Sequence, residues 1–124
     1  MRLFAWFPVP LMRLGLALAL LAITVLAVMP GQEVPVTTTW DKLDHWFAFF
    51  TLSLLADHAF PRASFWRRTA LWLLAYGVGI EIMQWFTPDR DAEFMDVVAD
   101  AISIASYGAL RYVASILLHP ARVE

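Results

Sequence analysis

The sequence predicts an all-α fold: a polytopic membrane protein in which four transmembrane helices form a bundle and both termini lie in the cytoplasm. Three observations lead to this prediction. The 124-residue chain is 60% hydrophobic with a mean hydropathy of +0.63, which is too apolar for a soluble domain of this size. The apolar residues fall into four runs separated by prolines. The basic residues are shared unequally between the two sides that these runs define.

Each apolar run, with its flanking residues, is long enough to cross a bilayer, which takes roughly 17–25 helical residues. The predicted crossings are about 11–29, 43–60, 67–86 and 95–115, separated by turn signals at Pro30-Gly31, Pro61 and Pro88-Asp89. Lone strands are excluded because a lipid-facing strand leaves its backbone polar groups unpaired. No repeat, low-complexity tract or linker interrupts the chain, so residues 1–124 are predicted to form a single domain.

Residues 1–30 could alternatively be a cleaved signal peptide with Arg2 and Arg13 as its basic region, which would leave three crossings. Met29 and Pro30 stand where a cleavage site needs small residues. We therefore keep the first run as a crossing.

The basic residues give the orientation. With four crossings, one side of the membrane holds both termini and the middle loop. That side carries seven of the nine basic residues: Arg2, Arg13, Arg62, Arg67, Arg68, Arg111 and Arg122. The other side carries Lys42 and Arg90. The positive-inside rule then places the termini in the cytoplasm and the loops near residues 42 and 90 outside.

Ionisable residues gather at the helix ends beside the two outward loops. The second helix begins with Asp41, Lys42, Asp44 and His45, and the fourth begins with Asp96 and Asp100. The third helix ends with Gly77, Glu81 and Gln84, whose i, i+4, i+7 spacing places them on one face. The three helix ends are therefore predicted to meet in a hydrated, outward-facing pocket.

Glu81 is the strongest functional candidate among these residues. An unpaired carboxylate inside a crossing costs about 2.5–3.5 kcal/mol, so it should face a partner or water. The alternative is a structural ion pair with Arg90 or Lys42. His45 and Asp96 complete the candidate catalytic group, and the candidate ligand-binding residues are Asp41, Lys42, Gln84, Arg90 and Asp100.

Each of these residues also has a purely structural interpretation. Asp41 and Asp96 could cap helix starts, Lys42 and Arg90 could be surface charges, and Gln84 could hold two helices together. Asp57 and His58, near the inner end of the second helix, are predicted to be solvated. A stripe of polar residues continues down the fourth helix through Ser103, Tyr107 and Arg111.

Several kinds of site are not expected. The chain has no cysteine, one histidine in the polar group and no paired-histidine spacing, so no tight metal site is predicted. A weak divalent-cation site of carboxylates and water stays open. The sequence has no cofactor-binding motif, no nucleophile elbow, no glycine-rich phosphate loop and no basic nucleic-acid surface.

The order of these motifs resembles the VanZ-like membrane family over residues 41 to about 108. The family pattern is D-K-x-x-H at the second helix, E-x-x-Q at the end of the third, P-x-R in the next loop and D-x-x-x-N opening the fourth. The matching residues are Asp41, Lys42, His45, Glu81, Gln84, Pro88, Arg90 and Asp96. Asp100 departs from the pattern because it stands where the family usually has Asn, and Ser103 and Tyr107 stand where spaced glycines are usual.

The resemblance implies a multi-pass protein of the bacterial cytoplasmic membrane. The founding member is associated with low-level resistance to glycopeptide antibiotics such as teicoplanin, and no reaction is implied for the family. The first hypothesis is an outward-facing site that binds or processes a cell-envelope ligand, such as a lipid-linked cell-wall precursor, a glycopeptide-related ligand or a membrane lipid. The second is an ion- or proton-coupled carrier or channel subunit, and the third is a purely structural membrane module. The sequence does not indicate the oligomeric state.

Overall fold

The computed structural model describes residues 6–33 and 41–118; within this part of the chain all regular secondary structure is helical, with no strand. The four α-helices are α1 (Val9–Val28), α2 (Asp41–Ala59), α3 (Ala70–Trp85) and α4 (Phe94–Leu118). A short 3₁₀ turn, Gly31–Glu33, follows α1, and a single π-helical turn, Phe65–Thr69, leads directly into α3. The predicted all-α class is confirmed.

Prolines set several of the helix ends. Pro8 immediately precedes α1 and Pro10 lies in its first turn, where the missing backbone N–H costs nothing. Met29 ends α1 in an extended conformation, with ψ of 140°, because the ring of Pro30 disfavours helical geometry in the residue before it. Pro61 follows α2 in the same way. The turn signals read from the sequence therefore coincide with the ends of α1 and α2.

Helix α2 is the centre of the bundle and packs against both α1 and α4. Phe49 and Leu52 of α2 are almost completely buried, as are Leu73 of α3 and Tyr107 of α4. The Tyr107 ring lies 5.2 Å from the ring of Phe65, measured between centroids. Since α2 also carries Lys42 and His45, the helix that organises the core positions part of the polar site as well.

The outer face of α1 is apolar and exposed. Its exposed residues are Leu11, Leu14, Leu18, Leu21 and Val25, and their three- and four-residue spacing places them along one side of the helix. An apolar stripe of this length requires apolar surroundings. By length and composition, α1 and α4 could each cross a membrane.

Gly77 lets α3 approach its neighbours closely. A methyl group at this position would lie 2.6 Å from Asp100 Oδ2 and 3.2 Å from Cζ of Phe49. Both neighbours are themselves tightly enclosed, since Asp100 and Phe49 are buried. Gly79, two residues further along α3, would meet nothing within 4 Å among the described atoms.

We therefore expect Gly77→Ala to lower the free energy of unfolding by about 1–3 kcal/mol, because the added methyl group overpacks the contact between α3 and α4. The matched control, Gly79→Ala, adds the same methyl group in open space and should leave stability unchanged or slightly raised. Thermal unfolding of the purified protein in detergent measures both. Equal melting temperatures for the two variants would contradict the close approach at Gly77.

Candidate functional site

Three helix ends bring polar side chains together in one place, which we call the carboxylate recess (His45, Glu81, Asp96 and Asp100). His45 comes from α2, Glu81 from α3, and the two aspartates from α4. One ligand atom from each of His45, Glu81 and Asp96 lies within 4.8 Å of the other two. Glu81, Asp96 and Asp100 are buried, and His45 is partly buried. The predicted convergence of these three helix ends is therefore seen for these four residues.

His45 is oriented by Asp100. Its Nδ1 lies 2.8 Å from Asp100 Oδ1, which is hydrogen-bonding distance. When the Asp100 carboxylate is ionised, Nδ1 donates the hydrogen bond, because a carboxylate only accepts. Nε2 of the neutral ring then carries a lone pair that points toward Glu81 and Asp96, at 3.9 Å and 3.8 Å.

Glu81 is fixed by one of its two oxygens. Oε2 accepts a hydrogen bond of 3.1 Å from the backbone N–H of Glu93 in the loop before α4. Oε1 is buried and has no hydrogen-bond partner among the described residues. The loop therefore sets the position of the carboxylate while leaving one oxygen directed into the recess.

Asp96 is held in the same way by Lys42. Lys42 Nζ donates to Asp96 Oδ1 at 3.1 Å and to Glu93 Oε2 at 2.8 Å. Lys42 lies just before the predicted second crossing, and its hydrogen bonds with Glu93 and Asp96 raise the pKa of its ammonium group, so it stays charged. Asp96 also lies in the first turn of α4, where a negative charge is favourable.

Arg90 and Gln84 line a separate cavity next to the carboxylate recess. Arg90 donates to the backbone carbonyls of Met29, at 3.1 Å, and of Leu26, and a cation is favourable at the C-terminal end of a helix such as α1. Gln84 is buried, and with Arg90 it lines a cavity of about 160 Å³ whose remaining walls come largely from α1 and α2. The guanidinium group of Arg90 is therefore engaged with backbone rather than with Glu81.

The loop that carries Arg90 rests on the turn after α1. Gly31 N–H donates to the carbonyl of Pro88 at 3.1 Å, and a methyl group on Gly31 would collide with the carbonyl oxygen of Asp89. Asp89 has a φ of 55°, in the left-handed region that aspartate tolerates better than most residues. This contact joins α1 to the α3–α4 loop beside the site.

The side chain of Asp41 lies outside the described residues, so its predicted ligand-binding role stays a prediction. The described structure places Asp44 in the wall of the same cavity as Gln84 and Arg90. The sequence did not single out Glu93, although its backbone N–H fixes Glu81 and its carboxylate binds Lys42. The sequence did carry a signal for this role, because Glu93 is an acidic residue three positions before Asp96, in the loop between two helix ends that bear polar residues.

The prediction that Asp57 and His58 are solvated is wrong. Both are buried, because α4 brings Tyr107 and Arg111 over the C-terminal end of α2. Tyr107 Oη donates to Asp57 Oδ2 at 2.8 Å, and Arg111 Nε donates to the same oxygen at 2.9 Å. His58 Nδ1 donates to the carbonyl of Leu54 at 2.7 Å. We call Asp57, Tyr107 and Arg111 the Asp57 cluster.

An apolar groove opens between α3 and α4 beside the carboxylate recess. We call it the lateral groove; it has a volume of about 490 Å³ and its lining residues include Val78, Glu81, Ile82, Trp85 and Phe94. Ile82, Trp85 and Phe94 are exposed. Glu81 therefore lies in the wall of the groove as well as in the recess.

The fold and the site together define a small helical protein with two helices able to cross a membrane and a buried acid–histidine cluster at one end of the bundle. The VanZ/LLP1 family model matches residues 9–115, so the chain belongs to the VanZ/LLP1 family. The resemblance seen in the motifs is confirmed, and the matched span is longer than residues 41–108. No curated protein and no solved structure matches the chain.

Proposed function

We propose that the protein is a four-crossing component of the bacterial cytoplasmic membrane with both termini in the cytoplasm and the carboxylate recess facing outward. Two features support this arrangement. The exposed leucines of α1 require apolar surroundings, and the exposed arginines of the α2–α3 loop lie at the end of the bundle that positive charge marks as cytoplasmic. Trp85 and Phe94 then lie at the outer membrane interface, where aromatic side chains are favoured.

In this membrane, we propose that the protein binds an amphipathic cell-envelope ligand, either a lipid headgroup or a lipid-linked cell-wall precursor. The proposal rests on the location of Glu81, which lines the lateral groove and also belongs to the carboxylate recess. A hydrocarbon chain would occupy the apolar groove while the polar head enters the recess. The groove volume, about 490 Å³, falls within the range usual for ligand pockets.

The charges of the recess constrain the polar head. Lys42 is occupied by Glu93 and Asp96, and Arg90 by carbonyls of α1, so neither cation is held ready for an anionic group. The recess itself offers carboxylate oxygens and the His45 ring. A head that presents hydrogen-bond donors, such as hydroxyl or amine groups, therefore suits the recess directly.

The same residues could process such a ligand. His45 with Asp100 has the arrangement of a base and the group that orients it, and Glu81 offers a second proton acceptor within 3.9 Å of the ring. Of the two groups, Glu81 also lines the lateral groove, so a ligand bound there would lie against it. Binding alone would need no reaction, and the proposed function includes either outcome.

The polar stripe along α4 gives less support to a carrier. Ser103 donates to the carbonyl of Trp46, and Tyr107 is bonded to Asp57. Ser103 and Tyr107 have no exposed surface, so the stripe between the recess and the Asp57 cluster is closed to water in this conformation. A closed stripe favours a binding site at one membrane face over a path across the membrane.

The orientation predicts which loops can be labelled from outside the cell. Because the chain has no cysteine, Asp91→Cys and Arg62→Cys each introduce a single thiol at an exposed position. In intact cells, a membrane-impermeant maleimide should label Asp91→Cys directly and Arg62→Cys only after permeabilisation. Labelling of Arg62→Cys alone in intact cells would overturn the orientation.

The lateral groove predicts a loss of bound lipid when it is filled. Val78→Trp places a large side chain in the groove, whereas Leu71→Trp makes a comparable change two turns earlier on the same face of α3, away from the groove. We expect native mass spectrometry of the detergent-purified protein to find copurified lipid on the wild type and Leu71→Trp, and at least about tenfold less on Val78→Trp, because a pocket of this kind binds by burying the ligand.

The same pair of variants tests the link to antibiotic tolerance. In a glycopeptide-sensitive host, expression of wild type or Leu71→Trp should raise tolerance to teicoplanin and Val78→Trp should not. Equal lipid retention by the two tryptophan variants would contradict ligand binding in the groove.

A further inference from the structure

The atoms that converge in the carboxylate recess have the composition of a metal site. We propose that His45 Nε2, Glu81 Oε1 and Asp96 Oδ2 bind one divalent transition-metal ion of the Zn²⁺ or Mn²⁺ class. Each of the three helices that end at the recess supplies one ligand atom. The proposed function of ligand binding in the lateral groove does not require this ion, so the two can be tested apart.

Each of the three ligands is anchored by its other polar atom. Asp100 fixes His45 through Nδ1, the backbone N–H of Glu93 fixes Glu81 through Oε2, and Lys42 fixes Asp96 through Oδ1. Hydrogen bonds of this kind orient the ligands of protein metal sites, and a carboxylate that accepts from the second nitrogen of a ligating histidine is one of the usual forms.

The Glu81 carboxylate has one oxygen without a partner. Its side chain is 10% exposed, and Oε1 has no hydrogen-bond partner among the described residues. Leaving a buried oxygen unsatisfied is costly, and more so when the group is charged. Oε1 lies 3.9 Å from His45 Nε2, and a shared cation would lie between these two atoms.

The recess also carries an excess of acidic groups. Glu81, Asp96 and Asp100 are buried within it, with Glu93 at its edge, and Lys42 forms ion pairs with Asp96 and Glu93. Protonation of His45 would still leave acids in excess of cations. Buried carboxylates that are not balanced by positive charge are costly, and a divalent ion between Glu81 and Asp96 removes most of that excess.

The ligand atoms lie somewhat further apart than those around a bound ion. His45 Nε2 lies 3.9 Å from Glu81 Oε1 and 3.8 Å from Asp96 Oδ2. Ligands at about 2.0–2.2 Å from a tetrahedral ion are separated from one another by about 3.4 Å. The two pairs that include His45 must therefore close by roughly half an ångström. The Glu81 and Asp96 carboxylates, whose ligand atoms lie within 4.8 Å of each other, must close by up to about 1.4 Å.

The ligand set indicates which metals fit. An imidazole nitrogen favours Zn²⁺ and neighbouring transition metals, whereas carboxylates alone favour Mg²⁺, Ca²⁺ and Mn²⁺. One nitrogen with two carboxylate oxygens therefore points to Zn²⁺ or Mn²⁺ rather than to Ca²⁺ or Mg²⁺. Three protein ligands leave a coordination position open, as in catalytic sites, and through it an ion would let the otherwise acidic recess accept a phosphate or carbonyl oxygen.

Titration calorimetry of the full chain in detergent, after chelation and dialysis, tests the proposal with ZnCl₂, MnCl₂ and MgCl₂. We expect the wild type to bind one Zn²⁺ or Mn²⁺ per chain and to bind Mg²⁺ more weakly. Glu81→Gln, which removes a ligand, should weaken Zn²⁺ binding by more than about 100-fold, and Asp100→Asn, which acts through His45, by about 10- to 100-fold. Asp91→Asn, an exposed acid outside the recess, is the matched control and should bind as the wild type does.

A second measurement does not depend on how the variants fold. Pulsed electron paramagnetic resonance of the Mn²⁺-loaded wild type should detect a directly bonded histidine nitrogen. Absence of that nitrogen signal, absence of cation binding by the wild type, or equal affinities for Glu81→Gln and Asp91→Asn would each overturn the metal site. Val78→Trp should retain Zn²⁺ while losing lipid; lipid retention without metal would reject this inference and leave the proposed function standing.

Discussion

The contact between His45 and Asp100 is the interaction on which the rest of the site depends. It joins α2 to α4 by a 2.8 Å hydrogen bond between two enclosed side chains. It also fixes the His45 ring so that Nε2 faces the acids of α3 and α4. This hydrogen bond therefore holds α2 and α4 together at the carboxylate recess, where the three helix ends meet.

A second set of polar contacts joins α2 and α4 at the other end of these two helices. Asp57 of α2 accepts hydrogen bonds from Tyr107 and Arg111 of α4. Buried ion pairs add little net stability, because desolvation offsets most of the attraction. Breaking one partner is nevertheless costly, so such pairs select a single alignment of two helices. The Asp57 cluster and the His45–Asp100 bond would thus fix the axial position and the rotation of α4 against α2.

The absence of a side chain at Gly77 allows α3 to pack closely against α4 beside the carboxylate recess. Asp100 Oδ2 lies where a side chain at position 77 would be, so α3 can bring Glu81 to the recess only because Gly77 has no Cβ. The backbone of Glu93 then holds Glu81 from the loop. The close approach at Gly77 and the hydrogen bond from the loop together explain how Glu81, an acid near the end of an apolar helix, is accommodated.

Much of this arrangement was predictable from the sequence. Four apolar runs bounded by prolines gave helices close to their observed bounds, and the spacing of Gly77, Glu81 and Gln84 gave the buried face of α3. The high cost of isolated acids in apolar surroundings indicated that helix ends bearing them must meet. These predictions depend on local periodicity and on polarity, which a sequence displays directly.

The partners of individual charges could not be predicted in the same way. Asp57 was expected in solvent but is covered by Tyr107 and Arg111, because the rotation of α4 about its axis decides which residue of α2 it covers. Arg90 binds carbonyls at the end of α1 rather than an acid, since the turn at Gly31 brings that helix end to the loop. Both outcomes depend on tertiary placement that spacing within one helix does not encode.

A double-mutant cycle on His45→Gln and Asp100→Asn measures the central interaction most directly. Unfolding in detergent of the wild type, the two single variants and the double variant gives the coupling free energy between the two side chains. The structure predicts a coupling of at least about 1 kcal/mol, because each substitution removes the same charge-assisted contact. Additivity within about 0.5 kcal/mol would mean that His45 and Asp100 do not hold α2 and α4 together, and the account of the site would fail.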